Sequence, residues 1–363
     1  MLRPQIIHMH YKDYIQKLPA YKAARLIASQ PGQITKLSSN ENPLGASPKA
    51  RAAIEAALGS IHRYPDSGAG ALRAALAAQV GLPSEAVTCS NGSDELILLL
   101  CVAFVREGDQ VVMAEGTFIS YLMRTLELGG QPVRVPLRDY AHDLPAMAAA
   151  ITPRTRMVFV CNPNNPTGTT SGEAELRAFL AQVPDDVLVV LDEAYIEYVT
   201  RPDFPDLLPD LRDGRPNLLL LRTFAKIYGL AGLRLGYAFA HPDLIGYLER
   251  VRPTFNVNSL AQAGGIAAID DAEHIDRSRQ HAAEARAFFA LELRALGLEP
   301  IASETNFVAF AVNDEPTVTE GLLSRGFTVT PLGGWGLPGL IRVSFGTIDE
   351  NTRFIEALRA TIG

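Results

Sequence analysis

Apolar and amphipathic stretches alternate along the middle of the chain. Short apolar runs typical of buried strands occur at residues 110–114, 132–136, 156–160 and 187–191. Helix-length stretches occur between and after them, at residues 118–128, 144–151 and 173–183. This alternation favours a mostly parallel sheet with helices on both faces. The pattern therefore predicts an α/β fold, in which ligands bind at the carboxyl ends of the strands.

The segments before this region predict an arm and the beginning of a large domain. Residues 1–35 are expected to form an N-terminal arm with one short helix. Helices are predicted at residues 48–58 and 70–80, and a short apolar strand at 86–89. We expect the large domain to span residues 36–245.

The composition changes after the predicted strand at residues 233–240. A long helical tract extends from about residue 243 to Leu298 and carries no recognisable motif. Strands then surround one more helix, with the strands at residues 306–312, 327–330 and 340–345 and the helix at 315–325. This arrangement predicts a second, smaller α+β domain over residues 246–363.

Composition and charge narrow the class of protein. A chain of 363 residues is too long for one small core and suits two domains. The formal net charge of −7 gives no indication of nucleic-acid binding, and no apolar run is long enough to predict a membrane span. The first residues are polar and include a proline, unlike a secretory signal. The histidines show no metal-ligand spacing apart from His8 and His10, which we expect on the surface.

The cysteines bear on the cellular compartment. Cys89, Cys101 and Cys161 lie far apart in apolar stretches and show no CxxC spacing. They are expected to be buried thiols in a reducing compartment. We therefore expect a cytoplasmic protein.

One lysine lies in an unusually apolar setting. Lys226 follows Leu218–Leu221 and Phe224, which predict a buried strand that ends near the lysine. Desolvation favours the neutral amine, the form that attacks a carbonyl group. Arg234, eight residues later, offers a fork of donors to an anion. The pair suits a pyridoxal phosphate site. The alternative is a lysine that extends from a strand end into solvent, with the arginine in a surface ion pair.

Two strand ends carry polar groups that would complete such a site. Asn91–Asp94 form a predicted strand-to-helix turn, whose free N–H groups and helix dipole favour a phosphate. The alternative is an ordinary helix cap by Ser93 or Asp94. Asp192 follows an apolar strand, where a buried carboxylate needs a cationic partner such as a protonated pyridine nitrogen. The alternative for Asp192 is a cap on the turn that follows.

Seven motifs follow one another along nearly the whole chain. They are KLSSNENPLG, RYPD, NGSDELI, NPNNPTG, DEAY, RTFAKIYGLAGLRLGY and LIRVSFGT. In this order they resemble the fold-type I aminotransferases that use pyridoxal 5′-phosphate, and most closely the histidinol-phosphate aminotransferase family. The resemblance implies a large domain with a mostly parallel sheet, a smaller α+β domain and a homodimer with shared active sites. It also implies small-molecule partners, namely an amino donor and a 2-oxo acid acceptor.

The resemblance assigns roles to residues of this chain. It implies that Lys226 binds the cofactor covalently and moves the substrate Cα proton, and that Asp192 pairs with the ring nitrogen. The other residues implied at the cofactor are Gly92, Ser93, Asp94, Thr223 and Arg234 at the phosphate, Asn165 and Tyr195 at the ring oxygen, Phe118 on the ring face and Tyr64 from the other subunit. Arg342 is implied at the substrate α-carboxylate, with Tyr21 and Asn42 at the mouth of the site. No metal is expected.

Three positions depart from the family pattern. Ala225 replaces a serine that usually touches the phosphate, so Thr223 is expected to carry more of that contact. Phe118 replaces a frequent tyrosine, which keeps ring stacking and loses a hydroxyl. Thr330 occupies a position where the family commonly has an arginine near the substrate phosphate. Trp335, in the same loop, could pack on an aromatic substrate or lie at a domain interface.

These features predict a transaminase that moves an amino group between an amino acid or amino-alcohol phosphate and 2-oxoglutarate. The family resemblance favours histidinol phosphate and histidine biosynthesis, whereas the uncharged Thr330 favours an aromatic amino acid. Another alternative is a pyridoxal phosphate decarboxylase of the same fold, which would release the α-carboxylate. A non-catalytic regulator is the remaining alternative, although the chain has no basic helix that would bind DNA.

Overall fold

The computed structural model describes residues 10, 12–16, 18 and 34–363. Helices α1 to α13 span Asp13–Gln16, Pro48–Ala57, Gly70–Val80, Ser93–Phe104, Ile119–Glu127, Leu144–Ala149, Glu173–Leu180, Leu208–Arg212, Pro242–Val251, Ser259–Ile269, Ala272–Ala295, Glu315–Ser324 and Ile348–Ile362. Strands β1 to β12 span Thr35–Lys36, Val87–Ser90, Gln110–Ala114, Gln131–Val135, Thr155–Cys161, Leu188–Asp192, Leu218–Thr223, Gly236–Ala240, Phe307–Ala311, Phe327–Thr328, Thr330–Pro331 and Leu340–Ser344. Most of the predicted arm, residues 1–35, lies outside the described residues.

A seven-stranded sheet organises the larger part of the chain, in the order β2-β8-β7-β6-β5-β3-β4. The five strands from β7 to β4 are parallel to one another, whereas β8 is antiparallel to both β7 and β2. The prediction of a mostly parallel sheet is therefore confirmed. Strands β5, β6 and β7 are adjacent and parallel, so the residues that follow them meet at one edge of the sheet.

Both faces of this sheet are buried. Along β5, Val158 and Val160 belong to one apolar cluster, whereas Met157 and Phe159 belong to the cluster on the other face. Successive side chains of a strand point to opposite faces. A parallel strand covered on both sides is consequently apolar at nearly every position, which is why these strands could be recognised in the sequence as continuous apolar runs.

Glycine conformations define the ends of two helices in this part of the chain. Helix α3 has the predicted bounds and ends at Gly81, whose φ of +67° is the left-handed conformation that glycine adopts easily. Helix α4 follows Gly92, with a φ of +82°, and no side chain caps its N-terminus. The alternative of a cap by Ser93 or Asp94 is therefore wrong. The first N–H groups of α4 remain available to another acceptor.

The helical tract predicted up to Leu298 is wrong as a single unit, because it consists of α9, α10 and α11. Pro253 has no backbone N–H to continue a helix, and Phe255 adopts a φ of +57°. Helix α9 packs on α4 and β2, and α10 packs on α2 and α3. Both helices thus contact elements of the larger part, and the predicted domain boundary after residue 245 stays a prediction.

A smaller antiparallel sheet has the order β11-β12-β9. The strand predicted at residues 327–330 is divided into β10 and β11, and β10 pairs in parallel with β1. Leu37 continues this link, because its N–H donates to Thr328 O at 2.9 Å and its carbonyl accepts from Ser344 N at 2.9 Å. The segment after β1 is therefore bound to the strands of the smaller part before it reaches the cavity described below.

Within the described residues, no helix has the length and apolar character needed to cross a membrane. The same residues contain no group of three or more His, Cys, Asp or Glu side chains that could hold a metal ion.

Candidate active site

A cavity lies where the chain leaves β5, β6 and β7 and where α4 begins. Its lining consists of Gly92, Ser93, Asp94, Phe118, Cys161, Asn165, Asp192, Ala194, Tyr195, Thr223, Ala225, Lys226 and Arg234. The structure thus brings together all the predicted cofactor-binding residues except Tyr64. We call the part around Asp192 the aspartate end and the part around Gly92 and Arg234 the arginine end.

The aspartate end contains a buried carboxylate. Asp192 is the last residue of β6 and is 3% exposed. Tyr121 Oη donates to its Oδ2 at 2.6 Å, and the Ala194 N–H donates to its Oδ1 at 3.0 Å. Burial raises the pKa of Asp192 to about 6, and the two hydrogen bonds oppose this rise. Asp192 does cap the turn at Ala194, but its burial means that its ionised form needs a positive charge nearby.

The arginine end is built from backbone groups and one exposed cation. A Cβ at Gly92 would lie 2.7 Å from Arg234 Nη2, so glycine keeps the guanidinium close to the start of α4. Arg234 donates through Nη1 to Ala231 O at 3.2 Å, and no carboxylate among the described residues pairs with it. Asp94 lines the cavity but pairs with Arg124 at 2.5 Å, so that arginine offsets its negative charge. This end therefore offers positive potential to an anion.

Lys226 follows β7 and belongs to the same lining. Its Nζ donates to Ser39 O at 3.2 Å and lies 5.6 Å from the centroid of the Tyr195 ring. Burial lowers the pKa of Lys226 to about 8, and the positive charge of Arg342 acts in the same direction. The alternative of a lysine that extends into solvent is therefore wrong. A lowered pKa increases the neutral fraction, which is the nucleophilic form of the amine.

Arg342 approaches the site from β12 of the smaller sheet. Its Nη1 donates to Asn165 Oδ1, while Nη2 donates to Ser38 O at 2.7 Å and to Thr330 Oγ1 at 3.0 Å. Burial lowers the pKa of Arg342 to about 10, which leaves it cationic near neutral pH. Its Nε is buried without a hydrogen-bond partner among the described residues. A buried unpaired donor on a cation indicates a place for an anionic ligand.

Tyr64 and Asn42 do not line the cavity. Tyr64 is 82% exposed, and its ring stacks on that of Phe255 with centroids 4.5 Å apart. Asn42 donates through Nδ2 to Ile227 O at 2.7 Å and to Ser278 Oγ at 2.9 Å. Its amide thus binds the backbone next to the lysine. Tyr21 lies outside the described residues.

Two residues that contact the site were not recognised in the sequence. Tyr121 is fully buried, stacks on Phe159 with centroids 4.4 Å apart and hydrogen-bonds Asp192. Its spacing from Phe118, one turn earlier on the same helix face, could have indicated it, because a buried tyrosine hydroxyl needs a partner. Asn40 donates to Tyr195 Oη at 2.9 Å. It lies in a polar loop, and no spacing in the sequence indicates this contact.

These groups fit a ligand with a phosphate at one end and a protonated ring nitrogen at the other. Backbone N–H groups at the start of α4, together with Arg234, suit the phosphate. Lys226 suits an aldehyde, because an amine with a lowered pKa adds to carbonyl carbon. The buried Asp192 suits the ring nitrogen. The arrangement fits pyridoxal 5′-phosphate.

Comparison with known proteins decides the family. The family described as aminotransferase class I and II matches residues 32–358. The chain belongs to this family. Proteins of this aminotransferase family depend on pyridoxal phosphate, and the protein is therefore an enzyme with that cofactor. The predicted family, activity and cofactor are confirmed.

Relatives and solved structures agree with this assignment. The chain is 45% identical over 349 residues to histidinol-phosphate aminotransferase of Moorella thermoacetica. The matched region covers 96% of this chain and 90% of that protein. The chain is 46% identical over 333 residues to the histidinol-phosphate aminotransferase of an Anaeromyxobacter species, with 91% of each covered. The structure of histidinol-phosphate aminotransferase from Sinorhizobium meliloti, in complex with pyridoxal-5′-phosphate, is similar with a TM-score of 0.86 and 27% identity over 97% of both chains.

A more distant likeness concerns the fold alone. A Thermus thermophilus aspartate aminotransferase variant has a TM-score of 0.85 at 23% identity, over 97% of this aminotransferase and the whole of that chain. The predicted fold-type I architecture is thereby confirmed. None of these comparisons favours the decarboxylase or the non-catalytic regulator considered above.

Proposed function

We propose that this aminotransferase transfers the amino group of histidinol phosphate to 2-oxoglutarate. The observation that carries the proposal is the similarity, at 45% identity over 96% of the chain, to a protein named histidinol-phosphate aminotransferase. The cavity supports it, because the arginine end offers a cofactor phosphate site and Arg342 lies apart from that end, on β12, as a second cation for an anionic substrate.

The proposed chemistry begins with the amine of Lys226. When bound, pyridoxal 5′-phosphate supplies an aldehyde that joins an amine and a ring that takes up the electron pair left at the substrate Cα. Lys226 would hold the aldehyde through Nζ, and its amine, free again once the substrate amine has taken its place, would accept the substrate Cα proton. Its pKa of about 8 places this amine near the pH at which it can both accept and return a proton.

Asp192 and the arginine end hold the two ends of the cofactor in this proposal. The Asp192 carboxylate would keep a proton on the ring nitrogen, and Tyr121 holds the carboxylate in position through its hydrogen bond. Asn165 and Tyr195 would contact the ring oxygen, and Phe118 would lie against the ring. The N–H groups of Gly92, Ser93 and Asp94 would hold the phosphate, together with Thr223 and Arg234, which line the same cavity.

Arg342 binds the anionic group of the substrate. Its buried, unpaired Nε supports this role, because a donor left without a partner costs about 1–3 kcal/mol unless a ligand accepts from it. Histidinol phosphate has no carboxylate, so its phosphate is the anion that Arg342 would bind. 2-Oxoglutarate would present its α-carboxylate to the same guanidinium, which can form two parallel hydrogen bonds with a carboxylate.

An aromatic amino acid is the second candidate substrate. Thr330 brings no charge to the site, and its hydroxyl donates to Ser38 O at 2.8 Å and accepts from Arg342. Trp335 lies beside Arg342, with the guanidinium carbon 5.6 Å from its ring centroid, and 6.4 Å from the ring centroid of Phe118. An aromatic side chain would find an apolar surface on these two rings.

A comparison of kcat/KM for different amino donors separates the two candidates. We expect histidinol phosphate to exceed phenylalanine, tyrosine and histidine by at least about a hundredfold, which corresponds to ~2.7 kcal/mol of transition-state stabilisation. Thr330→Arg should then change activity on histidinol phosphate more than activity on phenylalanine. A preference for phenylalanine or tyrosine would replace histidinol phosphate by an aromatic amino acid in the proposal.

Substitution of the lysine tests the proposed cofactor site. Lys226→Ala should abolish turnover and the visible absorption band of the lysine-bound cofactor, because no other lysine of the described residues lines the cavity. Lys226→Arg provides a control that keeps the charge and cannot bind the aldehyde. Turnover at the wild-type rate in Lys226→Ala would show that the reacting amine lies elsewhere.

We also propose a two-fold homodimer in which Tyr64 of each subunit reaches the cavity of the other. The 82% exposure of the Tyr64 ring supports this arrangement, and so does the exposure of Ile61 beside it at 62%. Mixed dimers of Lys226→Ala and Tyr64→Phe subunits should recover partial activity, because one of their two sites would have both groups. A fully active monomer in solution would refute this arrangement.

We further infer a cytoplasmic location. The three cysteines are buried and free in the structure, which suits a reducing compartment. Fractionation of cells should place the protein with cytoplasmic markers. Recovery from a membrane or secreted fraction would contradict this inference.

A further inference from the structure

Three consecutive residues after β1 contact three different groups of the site. Ser38 O accepts from Arg342 Nη2 at 2.7 Å, and Ser39 O accepts from Lys226 Nζ at 3.2 Å. Asn40 Nδ2 donates to Tyr195 Oη at 2.9 Å. The first two contacts use backbone carbonyls, which any residue could supply. Only the contact of Asn40 depends on the identity of its side chain.

Asn40 is held in one conformation from several sides. It is 1% exposed, and its φ of +54° lies in the left-handed region that asparagine tolerates better than most residues. Its N–H donates to Ser344 Oγ at 2.8 Å, and its Oδ1 accepts from the same hydroxyl at 2.8 Å. Asn306 Nδ2 donates to the Asn40 carbonyl at 3.0 Å. With Oδ1 bound to Ser344, the NH2 group is directed to Tyr195.

The contact determines which way the Tyr195 hydroxyl can donate. Nδ2 of an amide is only a donor, so Tyr195 Oη must be the acceptor in this pair. The phenolic proton then points elsewhere, and no other acceptor for it exists among the described residues. Tyr195 is 2% exposed and its ring lines the cavity. A buried hydroxyl without an acceptor in the protein is available to a ligand in the cavity.

We propose that Asn40 is a positioning residue of this aminotransferase, because its amide donates to Tyr195 Oη and so leaves the phenolic proton to be donated to the ring oxygen of the cofactor. This inference rests on the cofactor placement proposed above. Asn40 itself does not line the cavity and acts through Tyr195. Through Ser344 and Asn306 it also ties this hydrogen bond to the strands of the smaller sheet.

The proposal predicts the direction of a spectroscopic change. In the cofactor-loaded protein, one proton is shared between the ring oxygen and the lysine nitrogen. A Tyr195 hydroxyl that donates to the ring oxygen makes this oxygen less basic, so the shared proton leaves at a lower pH. Without Asn40 the hydroxyl can rotate away. The visible band of the lysine-bound cofactor should then change with pH at a higher midpoint.

Asn40→Gly is the principal variant, because glycine adopts positive φ values without strain and removes only the amide. We expect the midpoint of the absorption change to rise by about 0.5–1 pH unit, which converts to roughly 0.7–1.4 kcal/mol at ~1.36 kcal/mol per unit. Asn40→Asp is a second variant that keeps the shape and the acceptor. A carboxylate there would accept the phenolic proton, so its midpoint should rise at least as far.

Two further variants separate positioning from a merely structural role. In Tyr195→Phe protein the phenolic proton is already absent, so adding Asn40→Gly should raise the midpoint no further. Asn306→Ala is the matched control, since it removes bonds to the backbone carbonyls of Asn40 and Glu41 and leaves the amide contact to Tyr195. Its midpoint should stay close to that of the wild type.

The outcomes distinguish this inference from the proposed function. An unchanged midpoint in both Asn40 variants, or full additivity with Tyr195→Phe, would overturn the role of Asn40 while the enzyme remains a pyridoxal phosphate aminotransferase. A midpoint shift in Asn306→Ala as large as that in Asn40→Gly would also overturn it. A general loosening of the segment around Asn40 would then explain both shifts. Wild-type protein that binds pyridoxal phosphate without any lysine-dependent band would overturn the cofactor placement itself.

Discussion

At the aspartate end of the cavity a single carboxylate lies buried against Tyr121, whereas at the arginine end an exposed guanidinium lies beside the start of a helix. Asp192 is 3% exposed and Tyr121 is fully buried. Arg234 pairs with no carboxylate among the described residues and donates only to a neighbouring carbonyl. One end thus concentrates its charge in one buried group, and the other distributes it over backbone dipoles and one cation.

This difference predicts how each end responds to change. In a buried setting the effective dielectric is low, so the loss of one charge has a large effect and salt has little. At an exposed end several groups share the same anion and solvent screens each of them, so single substitutions have smaller effects that depend on ionic strength. The aspartate end should therefore govern the chemical step, and the arginine end the affinity for the cofactor.

The largest expected effect is that of Asp192→Asn, which keeps the shape of the side chain and removes its charge. The ring nitrogen would lose the anion that keeps it protonated, so breaking the Cα–H bond becomes harder. We expect kcat to fall at least a hundredfold, which corresponds to about 2.7 kcal/mol. Single-turnover kinetics should place the loss in proton abstraction. Cofactor content should stay near the wild-type value, and an unchanged kcat would reduce Asp192 to the cap of its turn.

Arg234→Gln should have the next largest effect, and on affinity instead of turnover. Among the described residues, Arg234 is the only arginine that lines the cavity. We expect the Kd for pyridoxal phosphate to rise about tenfold, or ~1.4 kcal/mol. The ratio of the variant Kd to the wild-type Kd should be smaller in roughly 0.5 M salt than in roughly 0.05 M salt. Arg234→Lys is the control that keeps the charge and loses the fork of donors. A salt-independent Kd ratio would contradict the exposed character of this end.

A smaller effect is expected at the aspartate end, in the way the unfolding free energy depends on pH. Burial raises the pKa of Asp192 from 3.8 to about 6 in the cofactor-free protein. The folded state therefore binds the proton more tightly than the unfolded chain, so the contribution of Asp192 to stability is full below about pH 4 and is lost as the pH rises through about 6.

Tyr121→Phe should enlarge this loss, because it removes the hydrogen bond that stabilises the ionised Asp192. We expect the unfolding free energy to fall by on the order of 1 kcal/mol more at about pH 8 than at about pH 5. Urea unfolding of the cofactor-free protein measures the difference. Tyr198→Phe, which removes another buried hydroxyl, is the control. An equal fall in the unfolding free energy of Tyr121→Phe at both values of pH would show that Tyr121 does not act through the charge of Asp192.

Ala225→Ser should have the smallest effect and the opposite sign. Ala225 lines the cavity and cannot donate through its side chain. A serine hydroxyl would add one donor to an anion site that already has several, so we expect the Kd for pyridoxal phosphate to fall by about two- to fivefold, up to ~1 kcal/mol. Ala225→Thr tests whether space limits the gain. A weaker affinity in both variants would show that the site has no room for another donor.

Several elements could be predicted because their signals are local. Helix α3 has the bounds that its sequence indicated, and the glycine that ends it is the next residue, Gly81. Strands β5 and β6 appear in the sequence as apolar runs, since they are buried on both faces. The positions of Lys226 and Asp192 at strand ends follow from the same pattern.

Other elements could not be predicted, because tertiary contacts override the local pattern. The helical tract after residue 243 keeps its helical pattern, but it is divided where Pro253 and Phe255 turn the chain. Residues 327–330 were expected to form one strand and instead pair with two different partners through β10 and β11. Asn42 has the polar character expected at a substrate mouth, but its amide binds Ile227 O.

The sequence by itself determined the α/β class, the aminotransferase family and the lysine, aspartate and arginine that lie around the cavity. These features depend on residue identity, on apolar periodicity and on the order of motifs, all of which can be read along the chain. Only the tertiary structure decided which groups support them. Tyr121 hydrogen-bonds Asp192 across 71 residues, and Asn40 hydrogen-bonds Tyr195 across 155. Such pairs form because strand order and sheet packing bring distant loops to one edge, and no local spacing carries that information.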